Sequence, residues 1–364
     1  MSRYDSRINN LKSSLQNLEV DGLLVSNAEN ICYLTGFTGS DGWLMADKNH
    51  SYLAVDFRYT EQASKETISS DVNVVQAKGN FDQWLLPILS DNNINSVGFE
   101  EDYLQYSTYT KLCETLKKSK PDLRFMPCKN IVESLRACKD AEEIACITEA
   151  VKMSDAVFDL ALSIIRPGIT ERQIAWIMEK HLRENGSEDL PFKIIVCSGP
   201  NTSMPHAKPG QRKIENGDPV LIDVGAKYAG YCSDMTRTIF LGKIDDMYRK
   251  VYDIVLAAQL TALNSITANI SGHEADAYAR KVIEQAGYAE NFGHGLGHGL
   301  GLSVHEAPRL GMNSMDLINN NMVFTVEPGI YMQGYGGIRI EDTVLLQNGK
   351  ISVINKSRKS LLCL

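Results

Sequence analysis

Four acidic residues in the second half of the chain lie within or directly after apolar, strand-like runs, and this pattern restricts the possible folds more than any other feature. They are Asp223, Asp234, Glu327 and Glu341. A carboxylate in such a run becomes buried when the strand packs, and burying an unpaired charge is costly. The fold must therefore bring each acid to a counter-ion, or bring the four acids together around bound cations.

The first two acids belong to two successive strand patterns. Residues 219–226 form an apolar run that contains Asp223, and residues 231–239 follow as a return strand with Asp234 near its start. If residues 227–230 form the hairpin turn, the two acids lie opposite each other on one face of the hairpin. Carboxylates about 5 Å apart repel strongly, so positive charge is expected between them.

Ordinary ion pairs are the alternative explanation for these acids. Asp223 could pair with a lysine or an arginine such as Arg237, and Glu341 could pair with Arg339. Each acid alone is weak evidence for a metal site. As a set of four on strand-like segments, they favour bound cations.

Residues 292–306 combine histidine and glycine in an unusual way. Three of the seven histidines, His294, His298 and His305, fall within this segment, and glycine occupies every second position from Gly293 to Gly301. A backbone with so few Cβ atoms permits close approach by a ligand or by a wall that carries metal ligands. The alternative is a flexible glycine loop with surface histidines.

The four acids and His298 together are the ligand types that a two-metal hydrolase needs. About four negative charges neutralise two divalent cations and leave a bridging water to be acidified. An oxygen-rich set with one imidazole favours Mn²⁺, Co²⁺, Fe²⁺ or Zn²⁺ over a thiolate site. His206, His294 and His305 fall in segments that could converge on the same place.

The composition excludes several other classes of function. The net charge of −8 argues against nucleic acid as the main partner. No apolar stretch approaches the ~18 residues of a membrane span, and the N-terminal residues have no signal-peptide pattern, so a cytoplasmic location is expected. The eight cysteines are scattered without a C-x-x-C pair, which indicates reduced thiols rather than a disulfide framework.

The sequence predicts two domains. Helical and strand signals alternate through residues 1–128, which indicates an α/β domain with a mixed sheet. Residues 129–364 contain long helical patterns at 141–165 and 171–184, then strand-rich sequence interrupted by helices around 248–268 and 273–286. Helices grouped against an antiparallel sheet indicate an α+β catalytic domain.

The sequence resembles the M24 metallopeptidases, the family of aminopeptidase P, prolidase (Xaa-Pro dipeptidase) and methionine aminopeptidase. The matching segments are residues 222–225, 233–237, 294–305, 326–331 and 338–342. Residues 30–37 look like the N-terminal domain of the proline-directed members. The resemblance implies a pita-bread catalytic domain with a pseudo-twofold arrangement, preceded by an α/β N-terminal domain.

The resemblance also implies roles for ten residues. Asp223 would hold one metal, His298 and Glu327 the other, and Asp234 and Glu341 would bridge both. The expected cofactors are two divalent ions per subunit, with Mn²⁺ as the first choice. The remaining implied site residues are the catalytic His206, His294, His305 and Glu327 and the substrate-binding Tyr331 and Arg339.

The function implied by the resemblance is hydrolysis of the Xaa-Pro bond at the N-terminus of peptides, as in aminopeptidase P. A strict Xaa-Pro dipeptidase is the alternative. Two further possibilities on the same fold are a catalytically silent binding protein and a creatinase-like hydrolase that uses no metal. The expected partners are peptides with proline at the second position and a second copy of the chain in a homodimer, with neither nucleic acid nor a membrane.

Overall fold

The computed structural model describes residues 2–67 and 72–364. The chain divides into two compact units, Met1–Arg136 and Ala137–Leu364. Among the helices in the described ranges, none is both long enough and apolar enough to cross a membrane.

The N-terminal unit is built on one six-stranded sheet. Its strands are β1 (Gly22–Val25), β2 (Trp43–Asp47), β3 (Ser51–Val55), β4 (Val72–Gln76), β5 (Ser96–Glu100) and β6 (Arg124–Cys128). Their order is β4-β3-β2-β1-β5-β6. β2 pairs antiparallel with β1 and β3, whereas the other pairs are parallel. The mixed sheet predicted from the sequence is confirmed.

The helices of this part of the chain are α1 (Arg3–Leu15), α2 (Ala28–Thr35), α3 (Thr60–Glu66), α4 (Phe81–Asp91), α5 (Tyr106–Leu116) and α6 (Ile131–Ala137). Leu85 and Leu89 of α4 cluster with Leu24, Met45 and Val97 from three strands of the sheet. Each such side chain contributes about 1.5–3 kcal/mol when it leaves water. Burial of these apolar side chains therefore holds α4 on the sheet.

The C-terminal unit contains four long helices: α7 (Ala141–Ile164), α8 (Glu171–Glu184), α9 (Asp246–Ser265) and α10 (Gly272–Gln285). Local sequence signals explain where they begin. Asp140 with Glu143, Thr170 with Gln173, and Ser271 with Glu274 form capping boxes at the starts of α7, α8 and α10. Each cap satisfies backbone N–H groups that a helix start leaves open and contributes about 1 kcal/mol.

The strands of this unit form several antiparallel sheets. They are β7 (Ile195–Ser198), β8 (Pro219–Val224), β9 (Lys227–Tyr228), β10 (Tyr231–Cys232), β11 (Met235–Phe240), β12 (Ile270–Ser271), β13 (Gly297–Gly299), β14 (Glu306–Leu310), β15 (Leu317–Ile318), β16 (Val323–Val326), β17 (Gly329–Met332), β18 (Gly336–Arg339), β19 (Asp342–Gln347) and β20 (Lys350–Val353). One sheet has the order β11-β8-β7, and a larger one has the order β14-β13-β16-β19-β20.

Each of these two sheets packs against a pair of helices. Val157 of α7 and Met178 of α8 share a core with Ile222 of β8. Val255 of α9 and Ala279 of α10 share a second core with Phe324 of β16. Two helix pairs, each on an antiparallel sheet, form the α+β architecture that the sequence predicts.

The β8–β11 register differs from the hairpin that the sequence suggests. Asp223 is paired with Thr236 rather than with Asp234. The chain turns at Ala229 and Gly230, which both have positive φ angles. A turn centred one residue later than expected moves the partner of Asp223 by two residues. Asp234 consequently lies just before β11, diagonally across from Asp223.

Candidate active site

One cavity of about 690 Å³ in the C-terminal unit collects every site residue predicted from the sequence. They are His206, Asp223, Asp234, His294, His298, His305, Glu327, Tyr331, Arg339 and Glu341. They come from segments between residues 206 and 341, so the antiparallel sheets bring together side chains that are far apart in the chain. A volume of this size lies within the usual range for a small-ligand site.

A cluster of metal-ligand types lies in this cavity. Asp234, His298 and Glu341 each offer a donor atom within 4.8 Å of those of the other two. His298 Nε2 also lies 3.3 Å from Glu327 Oε1 and 3.6 Å from Asp234 Oδ2. Glu327 directly follows β16, and Glu341 occupies the break between β18 and β19. The ends of strands therefore carry the acids into one place.

The electrostatics of the cluster fit bound cations. Burial, followed by the neighbouring carboxylates, raises the pKa of Asp234 and of Glu341 well above the ordinary values. Burial likewise raises the pKa of Glu327. Asp223 Oδ1 is buried without a hydrogen-bond partner among the described residues. Divalent cations would offset the repulsion and give that oxygen a partner, so the donor set fits metal binding.

Asp223 does pair with an arginine, as the alternative explanation allows, whereas Glu341 and Arg339 form no ion pair among the described residues. Asp223 pairs with Arg339, whose Nη2 lies 2.5 Å from Asp223 Oδ2, and not with Arg237. Glu341 accepts a hydrogen bond from Thr236 Oγ1 at 2.6 Å. Arg237 pairs instead with Asp342. Arg339 thus balances one acid of the four, and the cluster keeps an excess of negative charge.

Two threonines that the sequence reasoning missed orient the acids. Thr236 Oγ1 accepts a bond from Arg339 Nε at 3.0 Å while it donates to Glu341. Thr325 Oγ1 lies 3.1 Å from Glu327 Oε1 and accepts the backbone N–H of His298. Thr236 lies two residues after Asp234, and Thr325 lies two residues before Glu327. Alternate residues of an extended chain face the same side, and this spacing is the signal that could have identified the threonines.

A chain of hydrogen bonds runs along one side of the cavity. Arg339 Nη1 donates to the Tyr331 hydroxyl at 2.9 Å, and that hydroxyl lies 3.0 Å from His294 Nε2. His294 Nδ1 lies 2.8 Å from the carbonyl oxygen of Gly295. Burial lowers the pKa of His294 and raises that of Tyr331 to about 12. Neutral His294 with its proton on Nδ1 therefore accepts a hydrogen bond from the Tyr331 hydroxyl at Nε2.

The glycine-rich segment packs closely and is not a flexible surface loop. A Cβ atom on Gly297 would collide with the Thr325 carbonyl, and one on Gly299 would collide with the Ala307 carbonyl. His298 lies between these glycines, with its ring 4.3 Å from that of His305, centroid to centroid. Burial, with the neighbouring His298, lowers the pKa of His305 to about 4. His305 is therefore a neutral imidazole at pH 7.

Comparisons with known proteins decide the family. The family model "Metallopeptidase family M24" matches residues 145–348, and the model "Creatinase/Prolidase N-terminal domain" matches residues 7–138. The chain belongs to metallopeptidase family M24. The family predicted from the sequence is confirmed.

Solved structures and a sequence relative agree with this assignment. The M24 chain is similar to an Xaa-Pro dipeptidase from Bacillus anthracis, with 40% identity, a TM-score of 0.94 and coverage of 99% of this chain and 100% of the other. It is also similar to an X-Pro aminopeptidase from Thermotoga maritima, with 35% identity, a TM-score of 0.86 and coverage of 97% and 100%. An Xaa-Pro dipeptidase from Pyrococcus furiosus is 34% identical over 357 residues, which are 98% of this chain and 99% of the relative. The neighbours confirm the predicted pita-bread domain preceded by an α/β domain.

Membership of M24 implies divalent metal ions, and the acidic cluster with His298 has the donors to hold them. Four other residues that line the cavity of this M24 chain are not among the candidate metal ligands. These residues are Phe192, Lys193, Glu290 and Asn291. Asn291 Nδ2 donates a hydrogen bond to the Tyr331 carbonyl oxygen at 3.0 Å. The sequence reasoning missed these four, because none lies in a recognisable motif.

Proposed function

We propose that the protein is a metal-dependent exopeptidase that hydrolyses the Xaa-Pro bond at the N-terminus of peptides. The observation that carries this proposal is the cavity in which the four predicted acids and four histidines converge. The similar structures named for Xaa-Pro dipeptidase and X-Pro aminopeptidase activity support the proline specificity. A cavity of about 690 Å³ suits the first residues of a peptide rather than a folded protein.

Two divalent ions per subunit are part of the proposal. Asp223 would hold one ion, His298 and Glu327 the other, and Asp234 and Glu341 would contact both. We propose Mn²⁺ as the native ion, because oxygen-rich sites suit it, with Co²⁺, Zn²⁺ and Fe²⁺ as alternatives. When bound, such ions acidify a water molecule and polarise the scissile carbonyl group.

Three side chains would move or share protons during the reaction. Glu327, whose pKa burial raises, would accept a proton from the attacking water and pass it to the leaving proline nitrogen, with His206 assisting. This step is needed because the tertiary amide nitrogen of proline leaves poorly unless it is protonated. Neutral His305 donates a hydrogen bond to the oxygen of the scissile carbonyl as charge develops there.

The hydrogen-bonded chain of Arg339, Tyr331 and His294 would bind and orient the substrate. Its members restrain one another, since Tyr331 bonds to both of the others. Because His294 Nε2 is occupied by the Tyr331 hydroxyl, we propose that His294 acts by orienting Tyr331. Preorganised donors of this kind stabilise developing charge without having to rearrange.

Substrate length separates the main proposal from its alternative. Activity on longer peptides, as in aminopeptidase P, is the main proposal. Strict dipeptidase activity is supported by the names of the Bacillus anthracis and Pyrococcus furiosus proteins. The homodimer and the cytoplasmic location stay predictions from the sequence.

One assay series tests the proposed function. Metal-free protein is loaded with Mn²⁺, Co²⁺ or Zn²⁺ and given an Xaa-Pro-Xaa tripeptide, an Xaa-Pro dipeptide and a Met-Ala peptide, with an Xaa-Ala-Xaa tripeptide as the matched control. We expect release of the first residue from the Xaa-Pro-Xaa tripeptide, the highest kcat/KM with Mn²⁺, and little cleavage of the control.

Each contrary outcome selects a different function. Cleavage of the dipeptide alone would establish the dipeptidase. Cleavage of Met-Ala without Xaa-Pro would refute the proline specificity. Protein that binds no metal would favour the silent binding protein or the creatinase-like hydrolase.

A further inference from the structure

A buried guanidinium adjoins the acidic cluster. The Arg237 side chain is 1% exposed and pairs with Asp342 at 2.7 Å. Its other acceptors are the carbonyl oxygens of Thr236, Glu341, Ser357 and Arg358. All five N–H donors of the guanidinium are therefore occupied, as a buried arginine requires.

The carboxylate of Asp342 joins two cations in the same buried place. Its side chain is 1% exposed, and its second oxygen accepts a bond from Lys359 Nζ at 2.6 Å. Gln259 Nε2 donates to that oxygen at 3.2 Å. Asp342 is thus neutralised from one side by Arg237 and from the other by Lys359.

This network reaches the backbone at two candidate metal ligands. Arg237 Nη1 donates to the carbonyl oxygen of Glu341. Gln259 Nε2 donates to the carbonyl oxygen of Val326 at 3.2 Å, and Val326 directly precedes Glu327. The positions of Glu341 and Glu327 are consequently coupled to the charges on Arg237 and Asp342.

The C-terminal segment (residues 355–359) supplies much of this network. It contributes Lys359 and two of the carbonyl oxygens on Arg237. Asp155 of α7 holds the segment by accepting the backbone N–H groups of Lys356 at 2.7 Å and of Ser357 at 3.0 Å. The Ser357 hydroxyl donates to the same carboxylate at 2.5 Å.

We propose that the C-terminal segment sets the affinity of the metal centre by positioning Glu341 and Glu327 through Arg237 and Asp342. Loss of the Lys359 ammonium removes one of two cations on Asp342, so Asp342 and Arg237 must rearrange and the carbonyl of Glu341 loses its anchor. Lys359 is a positioning residue in this scheme. The proposal rests on the metal dependence within the proposed function, and not on the specificity for proline.

Lys359→Met tests the proposal, because the Lys359 side chain is 22% exposed and its removal need not prevent folding. Lys356→Met is the matched control, since Lys356 is exposed, lies in the same segment and loses the same charge. Calorimetric titration of metal-free protein with Mn²⁺ is expected to show affinity weakened about 10–100-fold in Lys359→Met alone. At saturating Mn²⁺, kcat should stay within about threefold of the control. Lys359→Arg, which keeps the charge, should recover most of the affinity.

Several results would overturn the proposal. One is Mn²⁺ affinity in Lys359→Met within twofold of that in Lys356→Met. Another is a lower melting temperature of the metal-free variant with unchanged affinity, which would indicate a merely structural role. If Lys359→Met does not fold, Asp155→Asn loosens the same segment from α7 and must weaken Mn²⁺ binding. Wild-type protein that binds no Mn²⁺ would instead refute the metal assignment in the proposed function.

Discussion

Replacing Glu341 or Asp234 with alanine is expected to abolish peptidase activity and to reduce the bound metal below two ions per chain. Each side chain is buried in the cluster, and in the proposed scheme each would give carboxylate oxygens to both ions. Metal-derived charge stabilisation amounts to several kcal/mol, which corresponds to a loss of ~10³-fold or more in kcat. Metal analysis by mass spectrometry and kinetics with an Xaa-Pro-Xaa peptide measure the two effects.

The Glu341→Gln variant tests whether Glu341 binds metal or only stabilises the fold. Glu284→Gln, which removes an exposed acid from α10, is its control. Because burial, followed by the neighbouring carboxylates, raises the pKa of Glu341, its ionised form is unfavourable without metal, and the Gln variant should melt at or above the wild-type temperature in metal-free protein. A variant of Glu341 or Asp234 that keeps two ions and near-normal kcat would disprove the two-metal assignment.

Replacement of the histidines is expected to separate metal binding from catalysis. His298→Ala should lower the metal content, because its Nε2 adjoins Glu327 and Asp234. His305→Ala and His206→Ala should keep the metal and lower kcat by roughly 10²–10⁴-fold, as loss of an oxyanion donor or a proton-transfer group does. His181→Ala, on α8 and outside the cavity, should change neither the metal content nor kcat.

The two measurements together decide the assignment within the glycine-rich segment. If His305→Ala loses metal and His298→Ala retains it, the proposed roles of His298 and His305 are reversed. An unchanged kcat in both His305→Ala and His206→Ala would remove these two residues from the proposed mechanism.

The chemistry of the site could be predicted because it depends on residue type. Acids such as Asp223 and Glu327 lie in apolar, strand-like segments, and burial of a charge is too costly to leave without a partner. This argument requires only the local pattern. It accounts for the meeting of the four acids in one cavity, whereas Tyr331 and Arg339 were predicted only through the resemblance to M24. The capping box of Thr170 and Gln173 is likewise a local signal, since its two partners are only three residues apart in the sequence.

The partners of the charged groups could not be predicted in this way. Asp223 pairs with Arg339, 116 residues later, whereas Arg237 lies much nearer in the sequence and pairs with Asp342. Strand register decides such choices. A hairpin turn centred one residue later than expected placed Thr236 opposite Asp223, and Thr236 then became the hydroxyl that orients Glu341.

The sequence by itself determined the α+β class and the acids and histidines that could bind metal, because hydrophobic periodicity and the cost of buried charge act on neighbouring residues. The motifs that match M24 determined the family. The tertiary structure alone decided which arginine neutralises which acid, which threonines orient the carboxylates, and that the C-terminal segment reaches the backbone of Glu341 through Arg237. These are contacts between segments as much as 121 residues apart. They depend on strand register and side-chain packing, which the local pattern of residue types does not specify.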